Sequence, residues 1–405
     1  MNWAERAAQH DAQDALAGFR SQFAGHDDPA VPAYLDGNSL GRPPLAAKQR
    51  WADFVETEWG GRLIRGWDEG WFAKPLALGD RIAAATLGAA AGQTIVGDST
   101  TVSLYKLVHA ALAARPDRSE IVVDRGNFPT DRYIVEGIAR DTGRTIRWID
   151  VELGAGVTPD DVAAVIGDQT AVVLLSHVAF RSGFVADVPA ITAAVHEAGG
   201  LVVWDLCHSV GVLPIELDAW GVDFAAGCSY KYLNGGPGAP AFLYVRAEHH
   251  ELAQQPIQGW MGVRDSFEMG PVYEPAEGIR RFVSGTPPVN AMIGIEAMLD
   301  LVEEAGIGAI REKSVALTEF AIELYDALLA PSGVELTSPR DAAVRGGHVT
   351  IDHERFPALI GELWSEGVIP DFRPPAGIRL GLSPLSTSFA EVEHAISRIA
   401  AGLAR

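Results

Sequence analysis

Two residues suited to catalysis, a carboxylate and an amine, each follow a short apolar run in this sequence. Asp205 closes the run at 200–205, and Lys231 stands three residues after the run at 224–228. Ligands of open α/β sheets bind in the crevice outside the carboxyl ends of the strands, so both side chains are expected to face one crevice. An amine there can condense with a cofactor carbonyl, and a carboxylate can keep a pyridine nitrogen protonated so that the ring accepts electrons.

The residues around Lys231 favour this chemistry over a purely structural role. An isolated Asp and Lys at strand ends more often act as a helix cap and a solvated surface cation. Here Ser229 and Tyr230 precede the lysine, and glycines follow it at positions 235, 236 and 238. A nucleophile, two hydroxyls and a flexible backbone therefore stand together. This arrangement resembles the lysine site of fold-type I enzymes, which use pyridoxal 5′-phosphate (PLP).

Hydrophobic periodicity indicates the elements that position these residues. Between about residues 80 and 290, apolar runs alternate with helix-length segments. The runs are 120–124, 170–178, 200–205, 224–228 and 241–245. Continuous runs of this length predict strands that are buried on both faces of a mostly parallel sheet.

The pattern changes after the adjacent prolines at 287 and 288. The elements predicted beyond this point are long amphipathic helices at about 293–305 and 310–329, short strands near Val334, His348 and Ile378, and a closing helix at 388–403. Helices beside a few strands indicate a smaller α+β domain.

We therefore predict an α/β protein with the PLP-dependent transferase fold type I, in which a large domain with a mostly parallel sheet is joined to a smaller C-terminal α+β domain. The predicted parts are an N-terminal helix and arm at 1–50, a large PLP-binding domain at 51–290, and a small C-terminal domain at 291–405 that packs with the arm. A chain of 405 residues is long enough for two domains of ordinary size.

Composition limits the partners and the cellular location. The 53 acidic and 32 basic residues give a formal charge of -21, which repels nucleic acids and anionic membrane surfaces, so neither is expected as a partner. Cys207 and Cys228 are too few for a disulfide framework, and a reducing, cytoplasmic location is expected. Charged residues scattered through 1–23 predict an amphipathic surface helix rather than a signal peptide or a membrane span.

An ordered series of motifs resembles the kynureninase family over nearly the whole chain. The motifs are YLDGNSLG at 34–41, TTVSL at 100–104, NFPTD at 127–131, the Asp205/His208 pair, CSYKYLN at 228–234, QGW at 258–260, SGTPP at 284–288 and GIR at 377–379. The resemblance implies a hydrolase that uses PLP to cleave the Cβ–Cγ bond of L-kynurenine, or of its 3-hydroxy derivative, into L-alanine and anthranilate or 3-hydroxyanthranilate. It also implies a place in tryptophan and kynurenine catabolism or in NAD biosynthesis.

Two of these motifs suit a cofactor site on physical grounds as well. Thr100 and Thr101 are expected in a turn before a helix at 102–114, where free N–H groups and hydroxyls suit a phosphate; a simple helix cap is the alternative. Phe128 is expected to begin a turn after the strand ending at Asp124, where its flat ring could stack on a pyridine ring. A position in the core is the alternative for Phe128. The resemblance favours cofactor contact for both motifs.

The resemblance implies further cofactor contacts. Asp205 would pair with the pyridine nitrogen, and His208 would lie in the cofactor site beside Lys231. The residues implied to hydrogen-bond the phosphate are Tyr230, Trp260 and Thr286. The other residues implied to bind the cofactor are Pro129, Thr130 and Asp131. Trp260 and Thr286 would reach across from the neighbouring subunit, so a homodimer with shared active sites is implied.

The catalytic roles are a hypothesis from the chemistry of these side chains, and the substrate-binding roles follow from the same resemblance. Lys231 would remove the α-proton, and Tyr230 is the candidate acid and base, since cationic neighbours would ease the loss of its proton. Arg379 would clamp the substrate carboxylate with its planar guanidinium. Trp67 and Gly285 are implied to bind substrate. The residues that resemble the bacterial type, which prefers kynurenine to its 3-hydroxy derivative, are Trp67, Gly285 and Thr286.

One segment departs from the family pattern. A polar-Tyr-basic-Thr-Gly run is expected after the strand at 171–178, but the sequence reads AFRSG at 179–183. Two polar groups are missing, so the contacts of this loop with substrate stay open.

Two other kinds of protein share some of these features. Another fold-type I enzyme, such as a cysteine desulfurase or an aminotransferase, would use the same lysine. A desulfurase needs a cysteine on a mobile loop, whereas Cys207 and Cys228 flank predicted strand ends. A PLP-sensing regulator that binds DNA would need a basic helix-turn-helix extension, which the sequence lacks, and the net charge opposes affinity for DNA.

Overall fold

Two β-sheets organise the chain, which a computed structural model describes over residues 2–152 and 154–405. Met1, the first residue of the predicted N-terminal arm, lies outside the described residues. The strands are β1 Ala33–Leu35, β2 Thr94–Val96, β3 Glu120–Asp124, β4 Thr145–Ile149, β5 Thr170–Ser176, β6 Leu201–Asp205, β7 Phe224–Gly227, β8 Phe242–Val245, β9 Glu335–Leu336, β10 His348–Asp352, β11 Val368–Arg373 and β12 Gly377–Gly381.

Helices occupy most of the remaining chain. The α-helices are α1 Trp3–Gln13, α2 Leu45–Asp53, α3 Gly60–Arg62, α4 Lys74–Ile82, α5 Thr100–Ala114, α6 Pro129–Thr142, α7 Pro159–Ala163, α8 Val188–Glu197, α9 Val289–Ala305, α10 Ile307–Leu324, α11 Phe356–Ser365 and α12 Phe389–Leu403. Within the described ranges, no helix combines the length and the apolarity that crossing a membrane requires.

The larger sheet has the strand order β2-β8-β7-β6-β5-β3-β4. Strands β3 to β7 run parallel, and β8 pairs antiparallel with both β7 and β2. Along β5, Val172 and Leu174 pack into one apolar cluster, while Val173 and Leu175 pack into another. The sheet is therefore buried on both faces, as its continuous apolar runs require. The predicted α/β class with a mostly parallel sheet is confirmed.

All five predicted apolar runs form strands of this sheet, namely β3, β5, β6, β7 and β8. The periodicity misses β4, whose residues alternate between exposed and half-buried side chains up to Ile149. This strand lies at the edge of the sheet, so its pattern is not the continuous apolar run of a central strand.

The smaller sheet has the order β1-β11-β12-β10-β9. Strand β1 pairs in parallel with β11, and the other neighbours are antiparallel. An N-terminal segment thus completes a sheet whose other four strands come from the last third of the chain. The predicted strands near 334, 348 and 378 correspond to β9, β10 and β12. Strand β11 was not predicted. The two predicted boundaries between the three parts stay predictions.

The N-terminal helix is shorter than predicted. Helix α1 ends at Gln13, and a 3-10 turn follows at Ala17–Gln22, so a single helix over 1–23 is wrong. Asp14 explains the break, because its carboxylate accepts the Leu16 N–H at 2.8 Å and pairs with the buried Lys313 ammonium at 2.6 Å. A carboxylate that captures nearby backbone N–H groups competes with helical hydrogen bonding.

Two other boundaries bear on the site. Thr100 and Thr101 do not lie in a turn before helix α5 but are its first two residues, because Ser99 is the N-cap and its side chain accepts the Val102 N–H. Phe128 likewise begins no free turn, since it directly precedes helix α6. The predicted turns are therefore helix N-termini, and the capping role considered for the threonines belongs to Ser99.

Candidate active site

Lys231 lies just beyond the carboxyl end of β7, in a pocket of aromatic and imidazole groups. Its Nζ is 2.9 Å from His208 Nε2 and 5.9 Å from the ring centroids of both Phe128 and Tyr230. The other buried lysines of the described chain, Lys106 and Lys313, each form an ion pair with an aspartate. Lys231 forms no such pair among the described residues, so its amine is available for chemistry.

Two buried carboxyl groups meet near this amine. Asp205 ends β6 and accepts the Cys207 N–H on its Oδ1 at 2.7 Å. Asp131, in the first turn of α6, is only 1% exposed, and within the described chain neither of its oxygens has a hydrogen-bonding partner. Burial raises the pKa of Asp131 well above its usual range, and the carboxylates of Asp205 and Asp124 add to the effect. A cationic or proton-donating ligand group would relieve this environment.

The N-terminus of α5 faces the same edge of the sheet. Cys207, two residues beyond β6, places its Sγ 3.8 Å from Thr100 Oγ1. Helix α5 runs for 15 residues, so the aligned peptide dipoles and the hydroxyls of Thr100 and Thr101 favour an anion at this point.

Phe128, the aromatic ring near Lys231, packs edge to face against Phe180. Their ring centroids lie 5.3 Å apart at an interplanar angle of 84°, and Phe128 remains 37% exposed. Phe128 therefore does not have the core position that was considered as the alternative to cofactor contact. Phe180 belongs to the 179–183 loop that departs from the family pattern, so this loop reaches the site with an aromatic side chain.

Arg379 is buried near the same loop, on β12. Its Nε donates to Asp371 Oδ2 at 2.6 Å, its Nη1 to the Phe180 carbonyl at 2.5 Å, and its Nη2 to Ser39 Oγ at 3.0 Å. Burial lowers the pKa of Arg379. The guanidinium is rigidly held by protein groups, and its clamping of a substrate carboxylate stays a prediction.

The surroundings of Tyr230 differ from the prediction. Burial raises its pKa above the usual value for a phenol, and the thiol groups of Cys228 and Cys207 act in the same direction. The expected easier loss of the Tyr230 proton is therefore wrong for the described chain, because burial, the neighbouring thiol groups and the Asp205 carboxylate all raise the pKa.

Four other predicted residues lie apart from Lys231. Trp67 packs against Trp71 with ring centroids 5.4 Å apart, and Trp260 is 43% exposed. Gly285 and Thr286 follow Ser284, whose Oγ donates to Asp98 Oδ2 at 3.3 Å just before helix α5. None of the contacts within the described chain joins these four residues to Lys231, and their roles stay predictions.

His348 was not among the predicted site residues. It begins β10 in the smaller sheet, is fully buried, and its ring centroid lies 5.6 Å from that of His208. Asp371, the partner of Arg379, was missed as well. Asp371 on β11 lies opposite Arg379 on β12 in the register of the two strands. Had the sequence predicted β11, the antiparallel pairing of the two strands would have suggested this pair.

The residues at this edge of the sheet fit PLP. The amine of Lys231 suits its aldehyde, the unpartnered Asp131 carboxyl group and Asp205 suit a protonated pyridine nitrogen, and the N-terminus of α5 suits its phosphate. An amine for the aldehyde, carboxyl groups that can accept from the pyridinium N–H, and N–H groups and hydroxyls that can donate to the phosphate thus lie at one edge of the sheet.

Comparison with known proteins agrees with this chemistry. Residues 81–359 match the family model "Aminotransferase class-V". The chain is 42% identical over 393 residues to a kynureninase of Pseudomonas fluorescens, which covers 95% of this chain and 92% of that protein. It is 41% identical over 404 residues to a kynureninase of Burkholderia pseudomallei, covering 98% of this chain and 95% of that protein.

The chain belongs to the kynureninase family. The predicted family is thereby confirmed. Solved structures similar to this kynureninase-family chain include C-DES with glycine covalently linked to its PLP cofactor, at a TM-score of 0.81, 21% identity, and coverage of 94% and 98%. A cysteine desulfurase from Thermococcus onnurineus aligns at a TM-score of 0.77, 20% identity, and coverage of 95% and 97%. At such identities these structures establish the fold alone, and the predicted fold type I is confirmed.

Proposed function

We propose that this chain is a PLP-dependent hydrolase that cleaves the Cβ–Cγ bond of L-kynurenine, giving anthranilate and L-alanine. The observation that carries the proposal is the meeting of Lys231, His208 and two buried carboxyl groups at one sheet edge, in a chain of the kynureninase family. Use of 3-hydroxykynurenine belongs to the same proposal as a second substrate.

The chain's own residues would hold the cofactor in a defined orientation. Lys231 would bind its aldehyde, Asp205 and Asp131 would face the pyridine nitrogen, and the first turn of α5 would bind the phosphate. Bound PLP supplies an electron sink for the carbon from which a proton is removed. The flat ring of Phe128 would limit movement of the cofactor, since aromatic rings favour offset stacking.

Two side chains would then handle protons. Lys231, freed by the substrate amine, would remove the α-proton, and His208, at 2.9 Å, would accept a hydrogen bond from the resulting ammonium. One water would add to the γ-carbonyl, the Cβ–Cγ bond would break to release anthranilate, the β-carbon would take up a proton, and Lys231 would return a proton to the α-carbon to give L-alanine. Tyr230 is proposed as the acid that gives the β-carbon its proton, because its raised pKa keeps the phenol protonated.

Substrate orientation would depend on Arg379. The Asp371 carboxylate aligns one side of its guanidinium, and Nη1 and Nη2 donate to the Phe180 carbonyl and to Ser39 Oγ, so the substrate α-carboxylate would have to bind N–H groups that these protein partners leave or release. Contacts of Trp67 and Gly285 with substrate, contributions of Trp260 and Thr286 from a second subunit of a homodimer, and a cytoplasmic location are parts of the same proposal.

The test is a product assay that separates the alternatives. Purified protein is loaded with PLP and given L-kynurenine, and anthranilate is followed by its fluorescence while alanine is measured by chromatography. Equal amounts of anthranilate and alanine are expected. Kynurenic acid formed with a keto-acid acceptor would indicate an aminotransferase, and sulfide and alanine formed from cysteine would indicate a desulfurase.

A further inference from the structure

A buried ion pair joins helix α5 to the segment that leads to Thr286. Lys106, in the second turn of α5, is fully buried, and its Nζ donates to Asp98 Oδ2 at 2.5 Å and to the Phe282 carbonyl at 2.6 Å. Ser284 Oγ donates to the same Asp98 oxygen at 3.3 Å. One ammonium and one carboxylate therefore hold the 282–284 segment against the start of α5.

The segment that carries Trp260 packs against the same place. The Met261 N–H donates to the Ser284 carbonyl at 3.3 Å, and a Cβ on Gly259 would clash with that carbonyl oxygen. The two segments are thus in backbone contact on both sides of Trp260. Any displacement of Ser284 would shift Trp260 and Thr286 together.

The backbone of Asp98 fixes the ion pair at the N-terminus of α5. Its φ is +53°, a conformation that few residues other than glycine adopt, and such outliers are retained where the surrounding structure requires them. Its carbonyl accepts the Ala241 N–H at 3.0 Å, and the next residue, Ser99, is the N-cap of the helix. The Asp98 carboxylate therefore belongs to the turn that sets the first N–H groups of α5, where the cofactor phosphate would bind.

Stability alone does not account for the Lys106–Asp98 pair. Burial lowers the pKa of Lys106, and the Asp98 carboxylate acts in the opposite direction. Apolar side chains in place of a buried ion pair are often neutral or stabilising, so a charge kept at this position indicates a requirement for defined geometry. The side chains of Trp260 and Thr286, which this geometry controls, are both exposed and free to contact a ligand.

We propose that Lys106 and Asp98 are positioning residues for the cofactor phosphate. They hold the segments of Trp260 and Thr286 at the distance from α5 at which the indole N–H and the hydroxyl can donate to a phosphate. In the proposed homodimer α5 binds the phosphate of its own subunit while Trp260 and Thr286 serve the neighbouring one, so the pair sets the spacing between two cofactor sites. This inference rests on the proposed contributions of Trp260 and Thr286.

The test compares PLP with pyridoxal, which has the same ring and aldehyde but no phosphate. Each is titrated into cofactor-free protein, and the Kd is measured from the absorbance change on binding. The ratio of the pyridoxal Kd to the PLP Kd reports the contribution of the phosphate contacts. Lys106→Met is expected to lower this ratio about tenfold, because charge-assisted donors to the phosphate are misplaced, with the pyridoxal Kd within about twofold of wild type.

Two further variants control this measurement. Lys313→Met breaks the other buried lysine–aspartate pair, which joins helix α10 to Asp14 at 2.6 Å, and should leave the ratio unchanged. Ser284→Ala removes only the longer contact to Asp98 and should lower the ratio about threefold. Because Ser284 is only half-buried, this variant decides the matter if Lys106→Met does not fold.

An unchanged ratio in Lys106→Met or Ser284→Ala, an equal loss of affinity for PLP and pyridoxal, or a similar fall in Lys313→Met would overturn this inference. Trp260→Phe combined with Thr286→Val tests its premise, and an unchanged ratio there would overturn the proposed phosphate contacts themselves. A wild-type protein that binds PLP with a high ratio but forms no anthranilate would instead overturn the proposed function.

Discussion

Two buried aspartates have contrasting environments. Asp223 lies at the amino ends of the strands of the larger sheet, and Asp131 lies at the edge formed by their carboxyl ends. Asp223 precedes β7 and receives hydrogen bonds from His196 Nε2 at 2.8 Å, His249 Nε2 at 2.7 Å and the Val202 N–H at 2.9 Å. Asp131, at the edge that carries Lys231, has no hydrogen-bonding partner on either oxygen within the described chain.

The two pKa values differ accordingly. Burial alone would raise the pKa of Asp223, but hydrogen bonds from His196, His249 and the Val202 N–H bring it down to about 2. Burial raises the pKa of Asp131, and neighbouring carboxylates raise it further. Polar groups that the chain satisfies itself stabilise the fold, whereas buried groups left without partners indicate where a ligand binds.

The largest effect is expected from Asp205→Asn at the ligand edge. The amide keeps the shape of the carboxylate but cannot stabilise a protonated pyridine nitrogen, so kcat should fall about 10³-fold with little change in melting temperature. Saturating kynurenine and anthranilate fluorescence measure kcat. Full activity of this variant would remove Asp205 from the cofactor site.

A smaller loss is expected from Tyr230→Phe. If the phenol delivers a proton to the β-carbon, kcat should fall about 10²-fold while PLP is still bound, as an absorbance spectrum would establish. The raised pKa of Tyr230 further implies that kcat does not decline through loss of its proton between pH 7 and 9. Normal turnover in Tyr230→Phe would exclude it from proton transfer.

Asp223→Asn should affect stability but not chemistry. Losing the carboxylate that two histidines and a backbone N–H share should lower the free energy of unfolding by about 1–3 kcal/mol in urea titrations. The kcat of the folded fraction should match wild type, in contrast to Asp205→Asn. Loss of activity without loss of stability in Asp223→Asn would contradict the assignment of a structural role to Asp223 and of chemistry to the edge that carries Lys231.

The pH dependence of the stability difference between wild type and Asp223→Asn follows from the shifted pKa values of Asp223 and His196. The lowered pKa of Asp223 gives stability above its unfolded value of about 3.9, which is lost as pH falls towards about 2. The raised pKa of His196, due first to its hydrogen bond with Asp223, gives stability below its unfolded value of about 6.5, which is lost at higher pH. The stability gap between wild type and Asp223→Asn should therefore be widest between about pH 4 and 6.5.

The smallest effect is expected from Asp131→Asn in the cofactor-free chain. A raised folded pKa means that the unfolded state ionises first, so stability falls as pH rises above about 3.9. The variant should melt a few degrees higher than wild type at pH 7 and at nearly the same temperature at pH 4. An equal difference in melting temperature at pH 7 and at pH 4 would contradict a raised pKa of a buried Asp131 carboxyl group that lacks hydrogen-bonding partners.

Much of the ligand edge could be predicted from sequence. Strands β6 and β7 read as continuous apolar runs because both faces of the sheet are buried, and parallel strands bring their carboxyl ends together, so Asp205 and Lys231 could be predicted to face one crevice. Thr100 and Phe128 were instead predicted in turns, and the structure places them at helix N-termini, since the exact start of a helix depends on local competition among residues such as Ser99 and its neighbours.

The parts that sequence did not reveal depend on long-range packing. His348 is more than 100 residues from Lys231 in the chain, and nothing local to β10 indicates which group its ring meets. Asp371 lies on β11, whose mixed pattern of buried and half-buried residues predicts no strand. Tyr230 directly precedes Lys231 in the sequence, but the direction of its pKa shift depends on a degree of burial that periodicity does not give.

Borohydride reduction of the PLP-loaded protein, followed by peptide mapping, tests the central claim most directly. The imine between cofactor and lysine is reduced to a stable pyridoxyl adduct, which is expected on the peptide that contains Lys231, with Lys106 and Lys313 unlabelled because both are held in ion pairs. A pyridoxyl group on another lysine, or a protein that takes up no PLP, would contradict the assignment of Lys231 and the function built on it.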